Sequence, residues 1–318
     1  MRRRIGLVLG GCIGAAVAGQ ARINGALGER LGDGVAAAVI SFGTGLVVLA
    51  VVFALSGRLR AGLGEVRRAL AVGKLRWWQL LGGLCGAFFV ACQGLTVATI
   101  GVTAFTVAVV AGQLVSSLVV DRMGVGPNGR TPVTVMRGAG AGLALVAVLL
   151  ASVGRNSAGG GLSVPAAFDG APKLLLIALP LLAGFGLAWQ QAVNGRVGAV
   201  GGPPSATLAN FATGTVGLVL VESLVISRSG WPTGFPTEPW LYIGGVIGVA
   251  FIALAVVVVR WVGVLLLGLT SVAGQLLMSL VLDVVVPTGP GLSAIALVGC
   301  ALTFAAVALA ARTPTKET

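Results

Sequence analysis

Apolar runs of about twenty residues recur ten times along this chain, at 5–28, 34–56, 78–97, 101–121, 133–153, 173–195, 204–226, 240–259, 262–283 and 289–311. An α-helix rises 1.5 Å per residue, so ~20 residues cross the ~30 Å hydrocarbon layer of a bilayer. No water is available there to bond the backbone, and each run must satisfy its own amides as a helix. The pattern therefore predicts an all-α integral membrane protein with ten transmembrane helices. The composition agrees: 57% of the 318 residues are hydrophobic and only 9% charged. The mean hydropathy of +1.03 leaves no stretch for a separate soluble domain.

Punctuation fits the same reading. Pro132, Pro203, Pro204, Pro287 and Pro290 fall near span starts, where the missing N–H costs nothing, and Pro180 lies inside the sixth span, where a kink is expected. The opening "MRRRIGLVLGGCIG" has the look of a secretory leader. Its apolar stretch is short, however, and a matching segment recurs at 173–195, so it reads as an uncleaved first span. One polar, Gly- and Pro-rich linker occupies 154–172. It separates a first five-helix repeat, 1–153, from a second, 173–311, with a cytoplasmic tail at 312–318.

The halves align block by block. Gln20-x3-Asn24-Gly25 matches Gln190-x3-Asn194-Gly195, and Ser41-Phe42-x-Thr44-Gly45 matches Asn210-Phe211-x-Thr213-Gly214. Trp78-x3-Gly82-Gly83-x2-Gly86 matches Trp240-x3-Gly244-Gly245-x2-Gly248. "AGQLVSSLVVD" at 111–121 returns as "AGQLLMSLVLD" at 273–283, with eight of eleven positions identical. An odd number of spans per repeat obliges the second repeat to enter the membrane from the opposite side, giving inverted repeats.

Charge sets the orientation. With both termini inside, sixteen of the 21 cations fall on the inner side and five, Arg22, Arg30, Arg155, Lys173 and Arg228, on the outer. This is the positive-inside asymmetry of a cytoplasmic-membrane protein. The net charge of +12 is thus a topology signal, and nucleic acid is not an expected partner.

Polar residues within the spans carry the functional reading. Gln113, Ser117 and Asp121 are spaced i, i+4, i+8 and line one face of the fourth span, and Gln275, Ser279 and Asp283 do the same in the ninth. Each Gln lies near mid-span and each Asp at the helix end, so inversion brings the two glutamines to one depth and the two aspartates to opposite surfaces. Gln20 with Asn24 and Gln190 with Asn194 form i, i+4 pairs in the first and sixth spans. A lone amide in hydrocarbon costs several kcal/mol, so these groups face protein or a wet cavity. They are read as candidate substrate-binding residues or as clamps between helices. Asp121 and Asp283 are read as helix-end or gate contacts. The glycine series Gly6-x3-Gly10-x3-Gly14, Gly82-x3-Gly86 and Gly244-x3-Gly248 predict close helix contacts. Trp77, Trp78, Trp240 and Tyr242 read as interfacial anchors.

Several chemistries lack their residues. The chain has no histidine, no cysteine pair and no clustered carboxylates, so no catalytic residue, no metal ligand and no cofactor is assigned and an enzyme is not expected. Cys12, Cys85, Cys92 and Cys300 sit in apolar runs and read as inert, buried thiols. Arg22 and Glu29 fall towards the outer end of the first span and Glu222 late in the seventh, which leaves no charge at mid-span. That argues against proton-coupled export of a permanent cation. The remaining amides and hydroxyls suit a hydrogen-bonding, weakly charged or zwitterionic small molecule.

Taken together, the Gln-x3-Asn-Gly opening of each half, the Trp-x3-Gly-Gly block and the Gly-Gln-Leu…Asp helix resemble the YdcZ-type family of the drug/metabolite transporter (EamA-like) superfamily, in a fused two-repeat form. The resemblance spans nearly the whole chain outside 154–172. It implies a ten-helix transporter of the bacterial inner membrane, an exporter of a small organic metabolite or drug-like solute, with Gln20, Asn24, Gln113, Gln190, Asn194 and Gln275 lining a central cavity. The small four-helix multidrug members depend on an acidic residue in their first helix, which this chain lacks at mid-depth. Two other readings share the fold, a flippase for a lipid-linked solute and a non-transporting membrane scaffold. Membrane lipid is a partner in each, and a homodimer is compatible with all three.

Overall fold

The computed structural model describes residues 2–126, 129–130, 133–157, 175–230, 232, 234–286 and 294–311. Among them the chain is all helical. Its helices are α1 (Arg2–Leu31), α2 (Gly34–Leu55), α3 (Gly57–Ala71), α4 (Gly82–Met123), α5 (Val135–Ser157), α6 (Leu175–Ser229), α7 (Gly244–Val285) and α8 (Ala294–Ala311). Short 3-10 turns, Trp77–Leu81 and Pro239–Tyr242, lead into α4 and α7. Five stretches are long and apolar enough to cross a membrane, two of them, Trp77–Met123 and Leu175–Arg228, at 47 and 54 residues. Of the linker expected at 154–172, residues 154–157 continue α5, and the rest lies outside the described residues, as does the tail.

Two of the long helices break at a glycine. Gly101 in α4 (φ 77°, ψ 159°) and Gly202 in α6 (φ 78°, ψ 164°) take backbone angles that an L side chain resists. Each therefore divides its helix into two rods, 82–100 and 102–123 in α4, and 175–201 and 203–229 in α6. Pro203 and Pro204 follow Gly202 at the start of the second rod, where their missing N–H groups were orphans already. At Pro180, where a kink was expected, the backbone stays helical.

The broken helices embrace a partner. Gly82 packs on Asn194 and Gly112 on Leu181. Those α6 positions are 13 residues apart, about 20 Å along a helix, whereas 82 to 112 would span about 45 Å if α4 were straight. α4 therefore folds back at Gly101 and holds the first rod of α6 in its crook. The same contacts recur in the other half: Gly244 packs on Asn24 and Gly274 on Gly11. By the same arithmetic α7 folds back around α1. Each half's opening helix is thus gripped by the other half's folded-back helix.

Glycine makes the grip possible. A Cβ on Gly14 would run into the Ser271 carbonyl oxygen and stand 2.6 Å from the Gln275 nitrogen, and one on Gly184 would meet the Val109 carbonyl and the Gln113 nitrogen. Gly83 sits against the Asn210 carbonyl as Gly245 sits against that of Ser41. At the centre Phe42 and Phe211, which occupy matching positions, stack with centroids 4.9 Å apart. They belong to the main core with Phe89, Val97, Ile100 and Phe105.

Ends are tied locally. Asp33 caps α2, its Oδ1 accepting from the Val35 and Ala36 amides at 2.8 and 2.9 Å. Arg30, at the end of α1, pairs with Glu238 ahead of α7, and Tyr242 donates to the Pro236 carbonyl at 2.6 Å. Of the aromatic anchors, Trp77 and Trp240 are exposed, and Trp78 leans on Trp189. Cys12 differs from its expected burial, since it lies on the exposed face of α1.

Gly14→Val is expected to lower unfolding stability by about 2 kcal/mol or more through overpacking. Gly19→Ala, whose Cβ would meet nothing within 4 Å, is expected to change it by less than about 1 kcal/mol; thermal unfolding in detergent compares the two. The hydrogen bond from Arg30 holds the Glu238 carboxyl below the usual carboxylate range. A lowered folded pKa contributes stability above the unfolded value, about 4.3, and loses it as pH falls through the folded value. Glu238→Gln is therefore expected to flatten a small acid-side decline in melting temperature, read from melts between about pH 6 and pH 3.

Candidate functional site

The Gln-x3-Asn pairs lie where the halves meet. On α1, Gln20 Nε2 donates to the Gly244 carbonyl at 2.8 Å, and Asn24 Nδ2 donates to Gln93 Oε1 at 2.7 Å. On α6, Gln190 Nε2 and Asn194 Nδ2 both donate to Asn210 Oδ1, at 2.7 and 2.9 Å. Glycine again leaves the room: a Cβ on Gly86 would stand 2.5 Å from Gln190 Nε2, and one on Gly248 would stand 2.8 Å from Gln20 Nε2. These amides fill notches over glycine, and all but Asn194 are buried.

The two notches differ in one partner. Asn210 reaches both amides of α6, whereas its counterpart Ser41 is too short to do the same for α1. Ser41 Oγ, Asn24 Oδ1 and Gln93 Nε2 are buried with no partner among the described residues. Unmet buried groups of this kind cost about 1–3 kcal/mol each. The first-half notch therefore retains hydrogen-bonding capacity that the second has spent. From sequence, Gln93 was one of the remaining amides and Asn210 a member of a repeated block, neither of them singled out as a site residue. No spacing ties Gln93 to Asn24, because the pair forms by contact between helices 69 residues apart.

Gln113 and Gln275 form a second set. The Gln113 backbone nitrogen lies against Gly184 and that of Gln275 against Gly14, so both sit at the crossing of an embraced helix with its crook. Gln113 is partly exposed and donates to Gln191 Oε1 at 3.3 Å. Gln275 is buried, and its Nε2 has no partner among the described residues. The serines of the two stripes turn back on their own helices, Ser117 to the Leu114 carbonyl and Ser279 to that of Leu276. They offer less to a solute than the stripe pattern implies. Thr103 and Thr106 instead carry buried hydroxyls without a partner among the described residues.

The aspartates do different work. Asp283 is buried, and its two oxygens accept from the Val102 and Thr103 amides at 3.1 and 2.8 Å. It caps the rod that starts after the Gly101 break and so ties the end of α7 to the other half. Asp121 is partly exposed and pairs with Arg137 of α5, within its own half. Glu29 and Asp283 act electrostatically on Arg22, whose Nε and Nη1 are buried without a partner among the described residues. Glu222 also departs from expectation. α6 continues to Ser229, which puts Glu222 two turns from the helix end, with Oε2 buried and without a partner among the described residues. Charge is thus buried deeper in these helices than the sequence pattern implies.

The fold defines a multi-pass helical membrane protein whose unmet polar groups gather where its two halves interlock. A family model described as "Putative inner membrane exporter, YdcZ" matches residues 5–150 and 175–309, one stretch in each half, and the chain belongs to that family. Comparison with curated proteins gives no match. The family description supports a transporter of the inner membrane.

Asp283→Ala is expected to lower unfolding stability by about 2 kcal/mol, because a helix cap is lost and Arg22 keeps one counter-charge fewer. Asp283→Asn, which retains an acceptor oxygen, is expected to lose less. Thermal unfolding of both variants in detergent checks the order.

Proposed function

We propose that this protein is a secondary transporter that moves a small organic solute across the bacterial cytoplasmic membrane by alternating access between two inverted five-helix repeats. The observation that carries the reading is the reciprocal grip. Each half's Gln-x3-Asn helix is held in the other half's folded-back helix, so the two halves can rock only about the polar layer between them.

Ten spans, which put both termini on one side, are supported by the helix lengths, and the cation distribution supports that side being the inner one. Two double-length stretches, three single ones and the shorter apolar helices Val135–Ala147, Gly244–Ala255 and Leu297–Leu309 together give ten crossings. The ion pairs support the same orientation. Arg30 and Glu238 join two segments that the charge pattern assigns outside, and Asp121 with Arg137 joins two assigned inside. Arg196, assigned inside, donates to the Gly124 and Val125 carbonyls at the inner end of α4.

The solute is a hydrogen-bonding molecule. The unmet groups at the interface of the halves are the Asn24 oxygen, the Gln93 and Gln275 amide nitrogens and the Thr103 and Thr106 hydroxyls, which supply both donors and acceptors. Gln20, Asn24, Gln190 and Asn194 hold the helices that frame this layer, and Gln113 and Gln275 face the solute at the two crossings. Asp283 and Asp121 close the outer and inner ends.

The test starts from a thermal-shift screen of the purified protein against metabolites and drug-like solutes, followed by vesicle flux of the best stabiliser. The double variant Gln113→Leu/Gln275→Leu is expected to keep its melting temperature within a few degrees and to lose flux at least about tenfold, the equivalent of one lost hydrogen bond to the solute. Undiminished flux in the folded double variant overturns the assignment of these amides.

A further inference from the structure

Among the described residues α3 has no counterpart in the second half. Between α2 and α4 the first half carries Arg58, Arg60, Arg67, Arg68, Lys74 and Arg76, whereas the second half, from the last turn of α6 to the start of α7, carries one cation, Arg228. All six side chains are exposed. Two are already engaged: Arg60 donates to the Phe53 carbonyl at the end of α2, and Arg68 pairs with Glu65. Arg58, Arg67, Lys74 and Arg76 make no ion pair among the described residues. Two large apolar side chains flank this charge, Val72 at 62% and Trp77 at 71% exposure. Cations beside exposed aromatic and apolar groups match the headgroup layer of an anionic membrane, where charge meets phosphate and the rings enter the interface.

The opposite face of α3 is buried against protein. Val66 and Ala69, with Leu75 from the turn after the helix, pack on Val197 and Ala206, which stand on either side of the Gly202 break in α6. The approach is close: a Cβ on Gly62 would strike the Gly201 carbonyl oxygen, and one on Gly201 would strike Val66. Ser205 Oγ donates to that same Gly201 carbonyl at 2.8 Å. α3 is therefore a strap laid across the point where α6 changes direction, with Arg60, Arg67 and Arg68 on the side away from this contact and Lys74 and Arg76 in the turn that follows it.

We propose that the basic side of α3 binds anionic phospholipid headgroups and that this binding seats α3 on the Gly202 break, making the angle of α6 sensitive to the charge of the inner leaflet. The anchoring does not depend on what the protein transports. It concerns a surface remote from the Gln113 and Gln275 layer, and its test uses no transported solute.

The full chain in neutral detergent is titrated with short-chain phosphatidylglycerol, with short-chain phosphatidylcholine and with inorganic phosphate. Melting temperature and backbone hydrogen exchange are followed in each case. Phosphatidylglycerol is expected to act at about tenfold lower concentration than phosphatidylcholine and to slow exchange over both 57–71 and 198–206. The triple variant Arg67→Gln/Lys74→Gln/Arg76→Gln is expected to lose this preference, whereas Arg228→Gln keeps it. Equal action of the two lipids overturns the proposal, as does an unchanged preference in the triple variant. An equal effect of inorganic phosphate shows that no lipid is needed and overturns it too. Slowing confined to 57–71 overturns the link to the α6 break.

Discussion

Everything in this molecule depends on helices whose backbones nearly touch. Lipid tails are as apolar as leucine, so no hydrophobic force drives one spanning helix onto another. What remains is van der Waals contact and hydrogen bonding, and both need closeness. Gly14 against Ser271, Gly184 against Val109, and Gly83 and Gly245 against the Asn210 and Ser41 carbonyls supply it. Neighbouring glycines, Gly248, Gly244, Gly86 and Gly82, leave the notches that Gln20, Asn24, Gln190 and Asn194 occupy. Packing and polarity are therefore one arrangement, since an amide can be buried there only because its neighbour lacks a side chain.

A duplicated plan is most informative where its copies differ. The scaffold contacts recur in both halves, down to the stacked Phe42 and Phe211. The polar interior does not. Asn210 satisfies two amides, while Ser41 leaves Asn24 and Gln93 with free capacity. Asp283 reaches across to the rod after Gly101, while Asp121 stays with Arg137. Arg22 stands near Asp283, and the matching position in the second half is Ala192. A structure that needed only to hold together would gain nothing from these differences. Among the described residues they concentrate unmet hydrogen bonding and charge near where the halves meet.

The two breaks shape the same layer. Gly101 and Gly202 each let one helix change direction without a loop. α3 lies over the second of these breaks and not the first. The two halves, though alike in their spans, are therefore not equally exposed to the membrane surface.

The apolar periods, the glycine series and the four repeated blocks were legible from the sequence alone, because a bilayer leaves one way to satisfy a backbone and duplication leaves a fixed offset. They were enough to give the helical class, the division into halves and the family resemblance. They did not give the partners. That Gln20 would meet Gly244, that Asn24 would meet Gln93 and that Asp283 would cap the rod beginning at Val102 depends on contacts between helices 69 to 224 residues apart, to which no local spacing refers. Nor could the pattern of serines and aspartates say which would turn back on its own helix and which would cross to another. Periodicity fixes the face on which a side chain stands. Only the crossing of two helices, set by where glycine lets them approach, decides what that face meets.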